Sequence, residues 1–592
     1  MKIIFVGTNS KYIHTALGVR YIREACRREG LDADLLEVSV NEPILRVLAR
    51  LTERRPAVVG LEVHIWNRSY VLELASLVRK VLPDCLLLAG GPEVLFHPRE
   101  TLAAAAALDY VVCGEGDEIV PAFLREVERF AASHPSWSRD EFLSFAAVPE
   151  GFAWRDREGG VMAPDQPVVV EELDALPFPY PDLDQVLRDH KILYYESSRG
   201  CPFHCAYCLS GITRTLRYRS VPLVLRDLDL MASAGATLVK FVDRTFNLDE
   251  DHYLPILEHL AALDTQATFH FEIKADILTP RVLALLQTVP KGRFQLEIGV
   301  QSTNPEVLAA IGRKDNWVRL RRNVEALLAA GNLHIHLDLI AGLPGEDLAS
   351  LARSFNDVYA LRPQTLQLGF LKVLPGTVMA RRAVTDGLVF MDKEPYEVLA
   401  TRYLSYEEMC SLKVLEEVFD LTSNSERFPF SLPYLAKIGG TQFGAGPSDA
   451  FAFFRELACW YREKGCVGLG HTGIDTARLL YDFLVERMPE AAAAGKELLR
   501  LDVLLSMPNN KAAWLGWRQA ENYARVTAFW RDAERVRRYV PDFVFENWRS
   551  LHKRYFLEEF AIDPWTYEPG RIFILSDSVK KELTRIEPSD II

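Results

Sequence analysis

Three cysteines on one short segment could hold an inorganic cluster. They are Cys201, Cys205 and Cys208, within the run Glu196-Ser-Ser-Arg-Gly-Cys-Pro-Phe-His-Cys-Ala-Tyr-Cys208. A ferredoxin-type spacing would supply a fourth cysteine close by, but the next one in this chain is Cys410. A cubane held by three cysteines keeps one iron without a protein ligand, and an open metal position is what chemistry at the metal requires.

The element that must position these thiols is a strand just before them. The apolar run Ile192 to Tyr195 is predicted to be buried, which places the cysteines on the loop at its carboxyl end. An alternative for the same residue types is a zinc site made by Cys205, Cys208 and either His204 or Cys201.

The spacing CxxxCxxC, with Tyr207 directly before the last cysteine, resembles the radical S-adenosylmethionine (SAM) superfamily. The resemblance implies a [4Fe-4S] cluster whose open iron is chelated by the amino and carboxylate groups of SAM. It also implies that an electron from the reduced cluster splits the sulfonium to give a 5′-deoxyadenosyl radical.

Size and composition set limits on the rest. A chain of 592 residues is expected to form three or four domains. The formal net charge of −13 argues against a general phosphate-binding surface, so binding to bulk nucleic acid is not expected. Nine cysteines without a regular framework suit a reducing cytoplasm. No apolar stretch reaches 18 uncharged residues, and we expect no membrane span.

Residues 1–145 alternate apolar strand patterns with amphipathic helix patterns. The strand candidates are Lys2 to Val6, Ala33 to Glu37, Ala57 to Val63, Cys85 to Ala89 and Asp109 to Cys113. Such alternation predicts a doubly wound, Rossmann-like parallel sheet, whose ligands bind at the carboxyl ends of the strands.

The loops at those strand ends are the candidate binding residues. Glycines there let a bulky flat ligand approach the backbone. The combination of Gly90-Gly-Pro92 with Gly114-Glu-Gly116 ahead of the cysteine motif resembles the cobalamin-binding domain of B12-dependent radical SAM proteins. The resemblance implies cobalamin contacts from Asn9, Ser10, Tyr12, His14, Val63, His64, Gly90, Gly91, Pro92, Gly114, Glu115 and Gly116.

The sequence departs from that family at one place. The DxHxxG loop that ligates cobalt in other cobalamin domains is missing, because the first loop reads Tyr12-Ile-His-Thr-Ala-Leu-Gly18. His14 is therefore either a cobalt ligand or a loop residue that bonds backbone or corrin amides. A nucleotide-binding Rossmann domain is the alternative for the whole region, but the fingerprint GxGxxG does not follow the first strand.

Residues 146–189 are expected to be a proline-rich linker with a hairpin through Glu158-Gly-Gly160. Six strand–helix repeats in residues 190–385 then predict a partial (β/α)6 barrel of the TIM type, with its working face at the carboxyl ends of the strands. By resemblance to the radical SAM family, the SAM-binding candidates in this domain are Tyr207, Asp243, Glu272, Glu297, Gln301, Arg313 and Ala341.

Residues 386–592 show mainly helical periodicity, for example over Glu394 to Leu421 and Ala512 to Arg538. Trp514 and Trp517 are spaced for one helix face, and core packing explains them better than a substrate lid does. This region resembles an uncharacterised helical extension of some cobalamin radical SAM proteins.

Taken together, the resemblance implies a cobalamin-dependent radical SAM methyltransferase. It would act on an unactivated carbon of a small-molecule or peptide substrate, through a 5′-deoxyadenosyl radical and methylcobalamin. An electron donor such as flavodoxin or ferredoxin is implied as a partner. Two alternatives stay open: a rearrangement or oxidation without methyl transfer, and a cobalamin or redox sensor that turns nothing over.

Overall fold

The computed structural model describes residues 1–145, 150–211, 215–508, 512–518, 522–541, 543–544 and 554–591. The chain divides into two units. Unit 1 comprises Met1–Glu346 and Phe370–Tyr403, and unit 2 comprises Asp347–Gly369 and Leu404–Ile592.

The first sheet of unit 1 has the order β2-β1-β3-β4-β5-β6-β7. Strands β1 to β5 are parallel, and their positions confirm the five predicted strands. The strands are β1 (Ile3–Asn9), β2 (Ala33–Ser39), β3 (Val58–Glu62), β4 (Leu86–Gly90), β5 (Tyr110–Val112), β6 (Phe152–Arg155) and β7 (Val161–Met162).

Helices cover both faces of this sheet, because strands buried on both sides need apolar partners on both sides. Ile4 and Val6 pack with the helices of one face, whereas Ile3 and Phe5 pack with those of the other. The helices are α1 (Leu17–Arg28), α2 (Ile44–Arg54), α3 (Arg68–Val81), α4 (Pro92–Leu95), α5 (Pro98–Ala104), α6 (Gly116–Ser133) and α7 (Arg139–Phe145).

The predicted hairpin is confirmed, and it belongs to the sheet. Strands β6 and β7 pair antiparallel around the Gly159 turn, and β6 also pairs antiparallel with β5. The segment that we expected to act as a spacer therefore extends the first sheet by two strands. Residues 146–149 lie outside the described part of the chain.

The second sheet has the order β15-β14-β13-β12-β11-β8, which confirms six strands and a partial barrel. Its strands are β8 (Leu193–Tyr195), β11 (Leu238–Phe241), β12 (Thr268–Ile273), β13 (Phe294–Gln301), β14 (His334–Ala341) and β15 (Thr365–Phe370). The helices that precede, connect and follow these strands are α8 (Leu183–Arg188), α9 (Val221–Ser233), α10 (Glu250–Ala262), α11 (Pro280–Leu286), α12 (Pro305–Ala310), α13 (Trp317–Ala330), α14 (Leu348–Tyr359) and α15 (Val378–Asp386).

A short antiparallel pair lies between β8 and β11. Strands β9 (Ser198–Arg199) and β10 (Arg217–Tyr218) pair with Arg199 opposite Arg217. The three cysteines lie between these strands, so the pair closes the base of the cysteine loop.

Unit 2 is mainly helical, as predicted, but it ends in a three-stranded antiparallel sheet that the sequence patterns did not predict. This sheet follows the order β18-β19-β20. Its elements, with a small hairpin of unit 1 that precedes them, are β16 (Val389–Phe390), β17 (Val398–Ala400), α16 (Tyr406–Thr422), α17 (Ser431–Phe443), α18 (Ala450–Glu463), α19 (Gly473–Arg487), α20 (Pro489–Ser506), α21 (Tyr523–Arg531), α22 (Ala533–Tyr539), β18 (Tyr555–Ile562), β19 (Pro569–Asp577) and β20 (Glu582–Ile586).

Two helix predictions for this region were wrong in extent. The one over Glu394 to Leu421 starts only at Tyr406, because Ser405 caps the helix in a capping box with Glu408. The one over Ala512 to Arg538 is broken into a 3₁₀ turn and two short helices, and residues 519–521 lie outside the described part. Trp514 stacks on Tyr481.

No helix in the described ranges has the length and apolar character needed to cross a membrane.

Candidate functional site

The cysteine loop is anchored to its neighbours by backbone hydrogen bonds. The Ala206 amide donates to the Ile311 carbonyl at 2.8 Å, and the Met379 amide donates to the Ala206 carbonyl at 2.7 Å. Within the loop, the Cys208 amide donates to the Cys205 carbonyl at 3.1 Å. The loop conformation is therefore set by the α12–α13 connection and by the start of α15.

The thiols of this loop act on one another electrostatically. Burial raises the pKa of Cys201 and of Cys205, and the neighbouring Cys208 raises both further. Thiolates that disfavour each other are stabilised by a shared cationic centre, so the donor chemistry fits an iron–sulfur cluster. In the described ranges no three His, Cys, Asp or Glu side chains form a ligand set for one metal ion. A cubane instead needs each cysteine on a different iron.

The guanidinium of Arg313 lies beneath this loop. Its Nη1 is 4.0 Å from the Cys205 sulfur and donates to the Tyr207 hydroxyl at 3.2 Å. Its other nitrogens donate to the Gly299 carbonyl at 2.6 Å and to Asp315 at 2.5 Å. Two predicted SAM residues, Tyr207 and Arg313, are therefore hydrogen-bonded to each other next to the Cys205 sulfur.

Asp243 follows β11 and is buried, with only 1% of its surface exposed. Its carboxylate accepts hydrogen bonds from the Ser197 amide at 3.0 Å, the Ser197 hydroxyl at 2.7 Å and the Ser198 hydroxyl at 2.5 Å. Burial nevertheless raises its pKa to about 6. Asp243 therefore fixes the strand that leads into the cysteine loop.

The barrel interior carries two further carboxylates from the predicted set. Burial raises the pKa of Glu272 to about 7. Glu297 lies beside it in the sheet register, and a 3.1 Å contact with the His270 imidazole holds its pKa low. The surroundings of these two neighbouring carboxyl groups therefore shift their pKa values in opposite directions.

Gln301 and Ala341 end the next two strands. Gln301 has a φ of +68°, a strained value for a residue with a side chain. Its amide oxygen is buried and has no hydrogen-bond partner among the described residues. Such an orphaned acceptor fits a site for a hydroxyl donor, which SAM offers on its ribose. Ala341 is fully buried, and its carbonyl accepts a hydrogen bond from the Leu371 amide at 2.9 Å.

A cavity of about 570 Å³ opens at the carboxyl ends of the first sheet, which is the size range of cofactor sites. Ten of the twelve predicted cobalamin residues line it: Asn9, Ser10, His14, His64, Gly90, Gly91, Pro92, Gly114, Glu115 and Gly116. Val63 is buried behind the cavity, and Tyr12 faces a different surface pocket.

The same cavity is lined by residues that the sequence reasoning missed. Tyr194, Arg199 and Arg244 reach it from the barrel side, and Trp66 from the first sheet. The indole of Trp66 stacks on His64 at 4.2 Å between ring centres. One cavity within unit 1 is thus bounded both by the cobalamin loops and by the strand ends next to the cysteine loop.

His14 has an orienting partner that the sequence did not reveal. The Tyr194 hydroxyl lies 2.7 Å from its Nδ1, and burial lowers the pKa of the imidazole. The ring is therefore held in place, and its lowered pKa favours the neutral form that a metal ligand or an acceptor requires.

Glycine is required at two of the strand ends by the chain itself. At Gly91, with φ +114°, an added Cβ would lie 2.5 Å from the Val63 carbonyl oxygen. At Gly114, with φ +149°, it would lie 2.2 Å from the Val168 oxygen. We expected a bulky ligand to demand these glycines, whereas close backbone packing already does so.

An ion-pair network joins the first sheet to the cysteine loop. Arg199 donates to Glu115 at 3.0 Å, to Asp117 at 2.8 Å and to Glu196 at 2.6 Å. Arg217 donates to Glu115 at 2.8 Å. Arg199 and Arg217 lie opposite each other on β9 and β10, where their like charges would repel. The Glu115 carboxylate contacts both guanidiniums and offsets this repulsion. The cofactor loop carrying Glu115 is therefore fixed relative to the cysteines.

Comparison with known proteins gives three family matches along the chain. Residues 3–124 match the model described as "B12 binding domain", and residues 195–358 match "Radical SAM superfamily". The chain therefore contains a B12-binding domain followed by a radical SAM domain. Its cofactors are a [4Fe-4S] cluster, SAM and cobalamin. Residues 386–572 match the model described as "Protein of unknown function (DUF4080)".

A curated relative and two solved structures are also similar to this chain. "Cobalamin-dependent radical SAM methyltransferase TokK" of Streptomyces tokunonensis is 26% identical over 60% of this chain and 52% of its own length. The chain thus spans about half the length of this curated relative. The fold is similar to OxsB, a cobalamin-dependent SAM radical enzyme, with a TM-score of 0.56 and 16% identity over 86% of this chain and 80% of OxsB. TsrM from Kitasatospora setae gives the same score and identity over 78% of this chain and 100% of TsrM.

Proposed function

We propose that this radical SAM protein is a cobalamin-dependent methyltransferase that acts on an unactivated carbon of a small-molecule or peptide substrate. The observation that carries the proposal is the common cavity, bounded by cobalamin-loop residues such as His64 and Gly91 and by the barrel residues Arg199 and Arg244. A substrate held there would meet both cofactors without leaving the protein. The similarity to TokK supports the same activity.

When bound, SAM with the cluster supplies a carbon-centred radical, and cobalamin supplies a methyl group. The chain's own residues bind, orient and exclude water. Cys201, Cys205 and Cys208 would hold the cluster. We assign Tyr207, Asp243, Glu272, Glu297, Gln301, Arg313 and Ala341 to the surroundings of SAM, and the ten cavity-lining loop residues to cobalamin.

Within that assignment the side chains have different tasks. The orphaned amide oxygen of Gln301 is suited to accept from a SAM hydroxyl. Asp243 fixes Ser197 and Ser198 before the cysteine loop. The network of Arg199 keeps the two cofactor sites at a constant separation.

The test is an anaerobic incubation of the reconstituted protein with SAM carrying a deuterated methyl group. We expect S-adenosylhomocysteine and 5′-deoxyadenosine to form together, with the label in the product once a substrate is found. Release of 5′-deoxyadenosine alone with the substrate would indicate a rearrangement or oxidation. If neither product forms, the protein is a sensor, and the proposal fails.

An electron-transfer protein such as flavodoxin or ferredoxin is the reductant that we propose. All nine cysteines are free, which suits a cytoplasmic setting as the proposed location.

A further inference from the structure

The outer side of the cysteine loop is open to solvent. Pro202 and His204 are exposed, whereas Cys201 is buried. The α12–α13 connection packs closely against this side, because a Cβ at Gly312 would lie 2.7 Å from the His204 carbonyl oxygen. Lys314 follows two residues later and is exposed.

Helix α15 borders the same side. Its Met379 amide donates to the Ala206 carbonyl of the cysteine loop at 2.7 Å. The guanidinium of Arg382 donates to the Ala310 carbonyl at 3.3 Å, which joins the helix to the α12–α13 connection. Residues 202–204, 310–314 and 378–382 therefore form one surface, named here the cluster-loop face.

The charge of this face is opposite to that of the whole chain. Lys314 and Arg381 are exposed and make no ion pair with any described residue. The nearby carboxylate of Asp315 forms ion pairs with Arg313 and Lys274 and is buried. The exposed carboxylate Glu306 lies on α12. A local excess of positive charge thus stands out on a protein whose formal net charge is −13.

The same face also exposes an apolar side chain. Val378, at the start of α15, is 40% exposed and precedes Met379, whose amide contacts the cysteine loop. An apolar residue beside exposed cations is typical of a surface that binds a protein partner of complementary charge.

We propose that the cluster-loop face is the docking site of a small acidic electron-carrier protein. This inference rests on the proposed function, because reductive cleavage of SAM consumes one electron that no side chain supplies. Each transfer oxidises the reduced flavin or iron–sulfur group of the carrier by one electron and reduces the cluster by one electron. No bond forms or breaks between the two proteins.

The expected complex is small and short-lived. Electron-transfer encounters lie at the low end of interface size, and they depend on electrostatic steering. The steering charges should therefore control the association rate, which falls as salt screens them.

The test uses the reconstituted full-length protein with its cluster. Reduction of the cluster is followed by stopped-flow absorbance with reduced flavodoxin, and separately with photoreduced 5-deazariboflavin, a small neutral reductant. In the double variant Lys314→Glu, Arg381→Glu, we expect the second-order rate with flavodoxin to fall about tenfold at low salt. The rate with deazaflavin should not change. Lys80→Glu, on α3, is the matched control and should behave as wild type.

An unchanged flavodoxin rate in the double variant overturns the proposal. Equal losses with both reductants overturn it too, since they would show damage to the cluster and not to docking. The charge-neutral variant Lys314→Gln, Arg381→Gln should show an intermediate flavodoxin rate with the same iron content. If the wild-type protein takes up no reducible cluster, neither reductant bleaches it, and the proposed function fails instead.

Discussion

Replacing Arg199 by methionine should destabilise unit 1 markedly. The Arg199 side chain is 14% exposed, and its partners Asp117 and Glu196 are 6% and 11% exposed. Removing the guanidinium leaves these carboxylates buried with one partner fewer, which costs about 3–5 kcal/mol for a buried ion pair. Methionine keeps most of the side-chain volume, so the loss is mainly electrostatic.

The size of unit 1 converts this energy into a melting shift. Unit 1 spans roughly 380 residues, and at about 2.1 cal/mol/K per residue its unfolding entropy is about 0.8 kcal/mol/K. A loss of about 4 kcal/mol should therefore lower the melting temperature by about 5 °C. The melting temperature of Arg199→Lys should lie between those of wild type and Arg199→Met, since an ammonium group cannot reproduce the bidentate contacts of the guanidinium.

The measurement is differential scanning calorimetry of the apo-protein at neutral pH. Arg125→Met is the matched control, because Arg125 and its partner Glu29 are 45% and 40% exposed. An exposed pair contributes about 0–1 kcal/mol, so the control should melt within about 1 °C of wild type. If Arg199→Met also melts within about 1 °C of wild type, the reasoning about the buried network is refuted.

Three further predictions follow from the site. The variant Cys201→Ala, Cys205→Ala, Cys208→Ala should bind no iron but keep its corrinoid, as measured by metal and corrinoid analysis; full iron content would refute the ligand assignment. Gly91→Ala should lower both the melting temperature and the corrinoid content, because the added Cβ would collide with the Val63 carbonyl. In the control Gly159→Ala the Cβ meets no atom within 4 Å, so the variant should lose only about 1 kcal/mol of stability through its positive φ. Equal effects of the two variants would contradict this prediction. Glu272 has a pKa of about 7 in the folded protein, above its usual 4.5, so its ionisation destabilises the fold as pH rises from about 5 to 8. Glu272→Gln should therefore reduce the pH dependence of the melting temperature in that range. An unchanged pH dependence would show that the pKa of this carboxyl group is not raised.

Much of the fold was predictable because its patterns are local. Strand β3 (Val58–Glu62), for example, is apolar up to its last residue and is followed by the amphipathic helix α3. The parallel order then follows from the right-handed crossover rule. The sheet of strands β18 to β20 escaped prediction because its strands carry charged residues such as Glu558 and Glu559 between apolar ones.

The site was predictable where one motif carries it and not where distant residues meet. The cysteines and the glycine loops are short motifs. By contrast, Tyr194 reaches His14 across 180 positions of the chain, and Arg199 reaches Glu115 across 84. Charged and aromatic residues on separate elements carry no local signal of their pairing.

The most direct test of the account is the content of the protein after strictly anaerobic purification and reconstitution. We predict about four irons and four sulfides per chain, together with about one corrinoid, and an electron paramagnetic resonance signal of the reduced cluster that changes when SAM is added. A protein with zinc at the cysteine loop, or with iron but no corrinoid, would contradict the claim that one chain holds both cofactors at one cavity.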